Sequence, residues 1–307
     1  MGADHDHAGH QHGVSADADR RLLWSSMALL AAFMVGEVVV AITSGSLALL
    51  SDAAHMLSDV GAIAAALWAM RLAARPASVV WTYGFKRAEI LTAAINGITL
   101  LVVAGMLAVE AVRRLFDPPE VAGGPVLVVA LVGCVINVIA VWLLAKANRS
   151  SLNVEGAYQH ILTDLYGFIG TAIAGVVILW TGWTPADTIA TLVVVVLMLH
   201  AAWGLLKQSG RVLLEGAPEH VDLDEVRACL LEVEHIVDVH DLHAWTITSD
   251  LPALTAHLVV GDGCFRDGHA AELLAEVQSA LQERFDVEHS TFQIEPRDHA
   301  ATEHGMH

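Results

Sequence analysis

Six stretches of the chain are apolar over about the ~20 residues a helix needs to cross a bilayer. They run over 22–42, 47–70, 88–112, 125–145, 154–180 and 186–206. The links Thr43 to Ser46 and Thr181 to Pro185 are tight, which makes spans 1 and 2, and spans 5 and 6, antiparallel neighbours. After Arg211 the periodicity becomes that of a small mixed domain. It predicts an amphipathic helix at 222–233, extended HIVDVHDLHAWTIT, a turn at Ser249 to Pro252, extended ALTAHLVVG, a helix at 268–284 and a last strand, STFQIEP. That order, αββαβ, lays helices on one face of a small sheet. The sheet's core is modest at this size, and pairing with a second copy helps to stabilise it.

Composition agrees with the pattern: of 307 residues, 55% are hydrophobic and 16% charged, which places the chain among polytopic membrane proteins. An even number of spans puts both termini on one side. Lys and Arg in the flanks say which. Arg20, Arg21, Arg71, Arg75, Lys86, Arg87, Lys146, Arg149, Lys207 and Arg211 flank the spans on the side of the termini, and only Arg113 and Arg114 on the other. Both termini are therefore expected in the cytoplasm. Trp24, Trp68, Trp142, Trp180, Trp183 and Trp203 lie near span ends, as interfacial anchors do. From Arg211 onward acids outnumber bases 20 to 5, so most of the net charge of -18 belongs to the tail domain, where it repels nucleic acid and attracts cations or simply keeps the tail soluble. Cys134, Cys229 and Cys264 are far apart and indicate neither a disulfide framework nor a zinc knuckle. The start, MGADHDHAGHQHGVSADADRR, is polar where a signal peptide has an apolar core, so no cleaved signal is expected.

Two apolar runs are interrupted by one pattern, HMLSD at His55 to Asp59 and HILTD at His160 to Asp164. In a helix, residues four apart share a face, so each pair forms a two-ligand claw. Asp59 lies near the middle of span 2 and Asp164 within about a turn of the middle of span 5, at ~1.5 Å per residue. The claws can meet at one depth. Two imidazoles and two carboxylates suit tetrahedral Zn²⁺, although Co²⁺, Ni²⁺ or Cd²⁺ can use the same donors. The plainer alternative is that each His merely hydrogen-bonds its own Asp or a neighbouring helix. A buried Asp in a span costs roughly 2.5–3.5 kcal/mol, and packing alone gives no reason to bear that twice in matched register.

At this point the sequence resembles the cation diffusion facilitator family, and within it the zinc-transporting branch. The likeness is carried by GSLALLSDAAHMLSD (45–59), YGFKRAEILTA (83–93), NVEGAYQHILTDLYG (153–167) and a C-terminal domain with HDLHAW, over nearly the whole chain. It implies a homodimeric metal:proton antiporter that moves Zn²⁺ out of the cytoplasm by alternating access, with ligands matching His55, Asp59, His160 and Asp164. It also implies a regulatory zinc site in the tail domain, mapped most naturally onto His240, His257 and Glu295, with His243, His269 and His289 nearby. Gln293 departs from the pattern, standing where some bacterial members place a His. The loop RLAARPASVVWTYGF lacks the acidic and His ligands that some relatives carry after span 2, so that site is expected to be absent.

The remaining polar features have plainer readings beside functional ones. Asp52 shares a helix face with His55 and either orients it or passes protons outward, or, near the extracellular end, simply sees water. Glu37 and Asn137 read as helix-to-helix hydrogen-bonding groups, and His200 as interfacial. His5, His7, His10 and His12 offer a weak, flexible metal-capturing strand. No His-Glu-x-x-His pair, Gly-rich nucleotide loop or nucleophile elbow occurs, which disfavours an intramembrane metal-dependent enzyme or an ATP-driven pump. A membrane-embedded metal sensor is the other alternative; flux separates it from a transporter.

The expected architecture is an all-α six-helix transmembrane bundle followed by a small cytoplasmic α+β domain, αββαβ and ferredoxin-like. Its parts are a disordered His-containing tail at 1–21, the membrane domain at 22–206, the cytoplasmic domain at 211–296 and a disordered tail at 297–307. The expected partners are a second copy, the lipid bilayer and protons as counter-ion. Zn²⁺ enters as transported substrate and regulatory ligand, with no organic cofactor, and the host is expected to be a bacterial plasma (inner) membrane.

Overall fold

The computed structural model describes residues 12–44, 47–116, 123–149, 151–183, 185–249, 251–261, 264, 269–287 and 289–300. Within these, the side chains at 12–17, 40, 41, 43, 44, 47–55, 58, 123–126 and 300 lie outside the description. The chain divides into two compact units, Met1–Lys207 and Gln208–His307.

The first unit is built from α1 (His12–Ser44), α2 (Leu47–Ala73), α3 (Ala88–Phe116), α4 (Gly123–Leu144), α5 (Leu152–Thr181) and α6 (Pro185–Leu213). Among the described residues, α3, α5, α6 and the stretches Ala18–Val39 and Leu127–Leu144 are long and apolar enough to cross a membrane. Helix α2 has 27 residues, about 40 Å at ~1.5 Å each, which exceeds the ~30 Å hydrocarbon thickness. Large apolar side chains are exposed on the faces of these helices turned away from one another, among them Val35, Ile95, Met106, Val135, Ile173 and Val196. In water that surface is unfavourable; in lipid it is the natural exterior. The protein is an integral, multi-pass membrane protein with a helical transmembrane domain and a small α/β domain.

Helix α1 begins ten residues before the expected span, so 12–21 is helical where a disordered tail was expected. Nothing from Val14 to Leu23 breaks a helix, and the span's first turns simply extend outward. Asp19, buried, accepts a hydrogen bond from the Asn148 N–H at 2.8 Å and ties α1 to the turn that follows α4. Helices α1, α2, α4 and α5 share one apolar core around Leu23, Leu30, Ile63, Leu144, Val154 and Ile161. Helices α3 and α6 meet in a separate cluster of Leu100, Ala104, Met198 and Ala202.

Small residues let the helices close up. A Cβ on Gly133 of α4 would lie 2.4 Å from the ring of Phe168 on α5. Gly133→Ala is therefore expected to lower stability by about 1–3 kcal/mol, the range for overpacking a filled interior, read as a lower thermal midpoint in detergent. Asn137 donates to Gly133 O at 3.1 Å, so its hydrogen bond stays within α4 where a bond between helices was expected. Glu37 is buried on α1, and His200 is exposed on α6.

The second unit runs α7 (Leu223–Glu232), β1 (Ile236–Thr248), β2 (Leu251–Val260), α8 (Ala270–Phe285), β3 (His289–Pro296) and α9 (Arg297–Ala300). The sheet order is β1-β2-β3. Strands β1 and β2 form an antiparallel hairpin, and α8 carries the chain back so that β3 pairs parallel with β2. Val226, Leu230, Leu254, Leu258, Val277 and Leu281 form its core between helices and sheet. The single turn α9 replaces the start of the expected disordered tail. His299 reaches back to within 3.8 Å of Glu295 across it.

Candidate metal centres

Asn153 and His160 lie on one face of α5, seven residues apart. Asn153 Nδ2 donates to Ala66 O of α2 at 2.8 Å. Seven residues on along α5, and seven back along α2, His160 Nε2 meets Asp59 Oδ1 at 2.5 Å. The two contacts are successive rungs of one antiparallel helix pair, so Asn153 sets the register in which the second forms. Sequence reasoning missed Asn153; its spacing from His160 was the available signal.

Asp59 and His160 are 5% and 4% exposed, and Asp164 is half-buried. Ligand atoms of all three lie within 4.8 Å of one another. Nδ1 of His160 is buried and has no hydrogen-bond partner among the described residues. Three of the four expected donors thus converge inside the helical bundle. The backbone of His55 lies one turn before Asp59 in α2, but its side chain, like that of Asp52, lies outside the described residues. His5, His7 and His10 also lie outside them, as does the side chain of His12.

The second cluster is on the sheet of the second unit. His240 of β1 pairs with His257 of β2, which pairs with Gln293 of β3, so one row crosses all three strands. Glu295 lies two residues further along β3, on the same face. It is 1% exposed, accepts from Gln293 Nε2 at 3.1 Å and contacts His240 Nε2. His257 Nδ1 lies 4.0 Å from it, and ligand atoms of His240, His257 and Glu295 all fall within 4.8 Å. Gln293 thus holds the Glu295 carboxylate by a hydrogen bond from its amide.

A bulge between His240 and His243, with Asp241 in the left-handed region at φ 50°, turns the Asp241 carboxylate toward the row. It lies 3.7 Å from His257 Nε2 and 3.0 Å from His243 Nε2. The His243 hydrogen bond holds its carboxyl below the usual aspartate range, so it stays anionic at neutral pH beside the two imidazoles. Sequence reasoning missed Asp241, because a bulge is not written in alternation. His269 stacks near His235 at 5.8 Å and takes no part in this cluster.

Residues 23–214 match the family described as the cation efflux transmembrane domain, and residues 218–297 the cation efflux protein cytoplasmic domain. The chain belongs to this family, the cation diffusion facilitators, in its zinc branch. It is a metal cation efflux transporter and not an enzyme. It is 41% identical to the metal cation efflux system protein CzcD of Cupriavidus metallidurans over 94% of this chain and 90% of that one. It is 38% identical to the zinc transporter ZitB of Escherichia coli over 95% and 92%. It is 36% identical to the cadmium, cobalt and zinc/H(+)-K(+) antiporter of Bacillus velezensis over 95% and 93%. A solved structure, the metal-bound C-terminal domain of the CzcD transporter, matches 24% of this chain and 99% of that one at 35% identity, with a TM-score of 0.22.

Proposed function

We propose that the protein exports Zn²⁺ from the cytoplasm in exchange for protons, by alternating access, with His55, Asp59, His160 and Asp164 as the ligands of the transported ion. The convergence of Asp59, His160 and Asp164 carries this reading. Two carboxylates offset the charge of a divalent ion, and imidazole with carboxylate oxygen is a donor set zinc accepts. The relatives' names, zinc transporter and cadmium, cobalt and zinc antiporter, point to the same substrates.

Proton coupling has a local basis. A hydrogen bond between the His160 nitrogen and the Asp59 oxygen requires a proton between them. A cation that takes both atoms displaces that proton; where the imidazole is protonated on both nitrogens the displaced proton leaves the site, so the pair holds either that extra proton or the metal. His240, His257 and Glu295 form a regulatory zinc site, with Asp241 at its edge. The cytoplasmic domain, ferredoxin-like in order, pairs with a second copy to make a homodimer. The ten-to-two bias of basic residues supports cytoplasmic termini, and the bacterial relatives a plasma (inner) membrane.

Zn²⁺ uptake into inside-out vesicles under an imposed pH gradient tests this. Wild-type uptake is expected to follow the gradient, and Asp164→Ala to remove it. Uptake indifferent to the gradient would end the antiport reading; equal uptake by the variant would end the site.

A further inference from the structure

Asn96 of α3 carries a side-chain oxygen that is fully buried and meets no hydrogen-bond donor among the described residues. Leaving a buried amide oxygen without a donor is unfavourable. Such an atom in a native fold calls for a reason, and an ion or its water is one. Its position supplies that reason. The Nδ2 of the same amide lies against Gly156 of α5, where a built Cβ would approach it to 3.2 Å, and Leu205 of α6 closes the same spot at 3.3 Å. Gly156 is four residues before His160, hence on the same face of α5 and about 6 Å away along the axis at ~1.5 Å per residue. Because position 156 has no side chain, the Asn96 amide occupies space beside the face that carries His160 and Asp164. Two turns earlier on α3, Glu89 accepts from Ser151 Oγ at the start of α5. Helix α3 therefore presents polar groups to α5 at successive levels below the cluster.

We infer that Asn96 is a cation-positioning residue. Its Oδ1 accepts a hydrogen bond from the water shell of a hydrated divalent cation one helical turn before that ion reaches Asp59, His160 and Asp164. The inference rests on the transport reading above. A neutral oxygen suits the task, since a way station must hold an ion well enough to admit it and weakly enough to release it. A purely structural amide has other signs. Asn153 and Asn137 each donate an amide N–H to a backbone carbonyl, whereas the Asn96 oxygen meets no donor among the described residues.

The test uses full-length protein in proteoliposomes, with Zn²⁺ as the probe. Asn96→Leu keeps the shape and removes the oxygen. It is expected to lower kcat/KM about tenfold, mainly through KM, the upper end of what one lost hydrogen bond is worth. Its thermal midpoint should equal or exceed wild type, because an unsatisfied polar group has gone. Asn96→Asp retains an oxygen and should keep most of the wild-type kcat/KM. Unchanged transport by Asn96→Leu overturns the inference, and so does equal loss in both variants or a lowered midpoint in Asn96→Leu. Asp164→Ala in parallel separates the two readings: if it alone abolishes transport, the site stands and Asn96 falls. If the wild type moves no Zn²⁺, the transport reading itself fails.

Discussion

Asp59→Asn is expected to abolish metal transport while leaving the protein at least as resistant to heat as the wild type. The amide keeps the volume of the carboxylate and can still hydrogen-bond His160, so the α2–α5 contact survives. What it lacks is the charge that balances a divalent ion. Removing groups that merely orient metal ligands costs ~10–100-fold; removing an anionic ligand at a site 5% exposed should cost on the order of 100-fold or more in kcat/KM. Stability moves the other way, because a carboxylate within a span carries a penalty of roughly 2.5–3.5 kcal/mol. Zinc uptake by proteoliposomes and thermal unfolding in detergent check the two halves. Wild-type uptake, or loss of uptake with early unfolding, contradicts the expectation.

Saturating Zn²⁺ is expected to stabilise the second unit, and Glu295→Gln to remove that effect. An ion bound only by the folded state adds about 2.7 kcal/mol at a hundred times Kd, a large part of what a domain of this size has in reserve. The expectation rests on Glu295 because it is buried, bonded by Gln293 and lies between His240 and His257. Its amide replacement retains the shape but not the anion. Hydrogen exchange at the amides of β1, β2 and β3 in the full-length protein, with Zn²⁺ and with EDTA, measures the effect. Equal protection in both conditions for the wild type, or an undiminished zinc effect in Glu295→Gln, counts against it.

Much of this molecule is legible in its sequence because lipid imposes a simple rule. Every backbone group in the hydrocarbon must be satisfied internally, so a long apolar run is a helix. In the tail domain the alternation of HIVDVHDLHAWTIT and ALTAHLVVG marks strands for a similar reason, one face being buried. The departures occur where that rule loosens. Residues 12–21 continue α1 beyond the apolar stretch, and Asp241 adopts a left-handed bulge that no periodicity records.

By itself the sequence determined the helical membrane class, the αββαβ order and the His-x-x-x-Asp faces, because these depend on spacing along one element and on burial of apolar surface. Only the tertiary structure decided which elements meet. The Asn153 bond to Ala66 sets α2 and α5 in the register that joins Asp59 to His160, the pairing of three strands lines up His240, His257 and Gln293, and the bare backbone of Gly156 admits Asn96. Each of these is a contact between segments far apart in the chain. Their geometry follows from how side chains pack across helices and strands, which periodicity within a single segment does not encode.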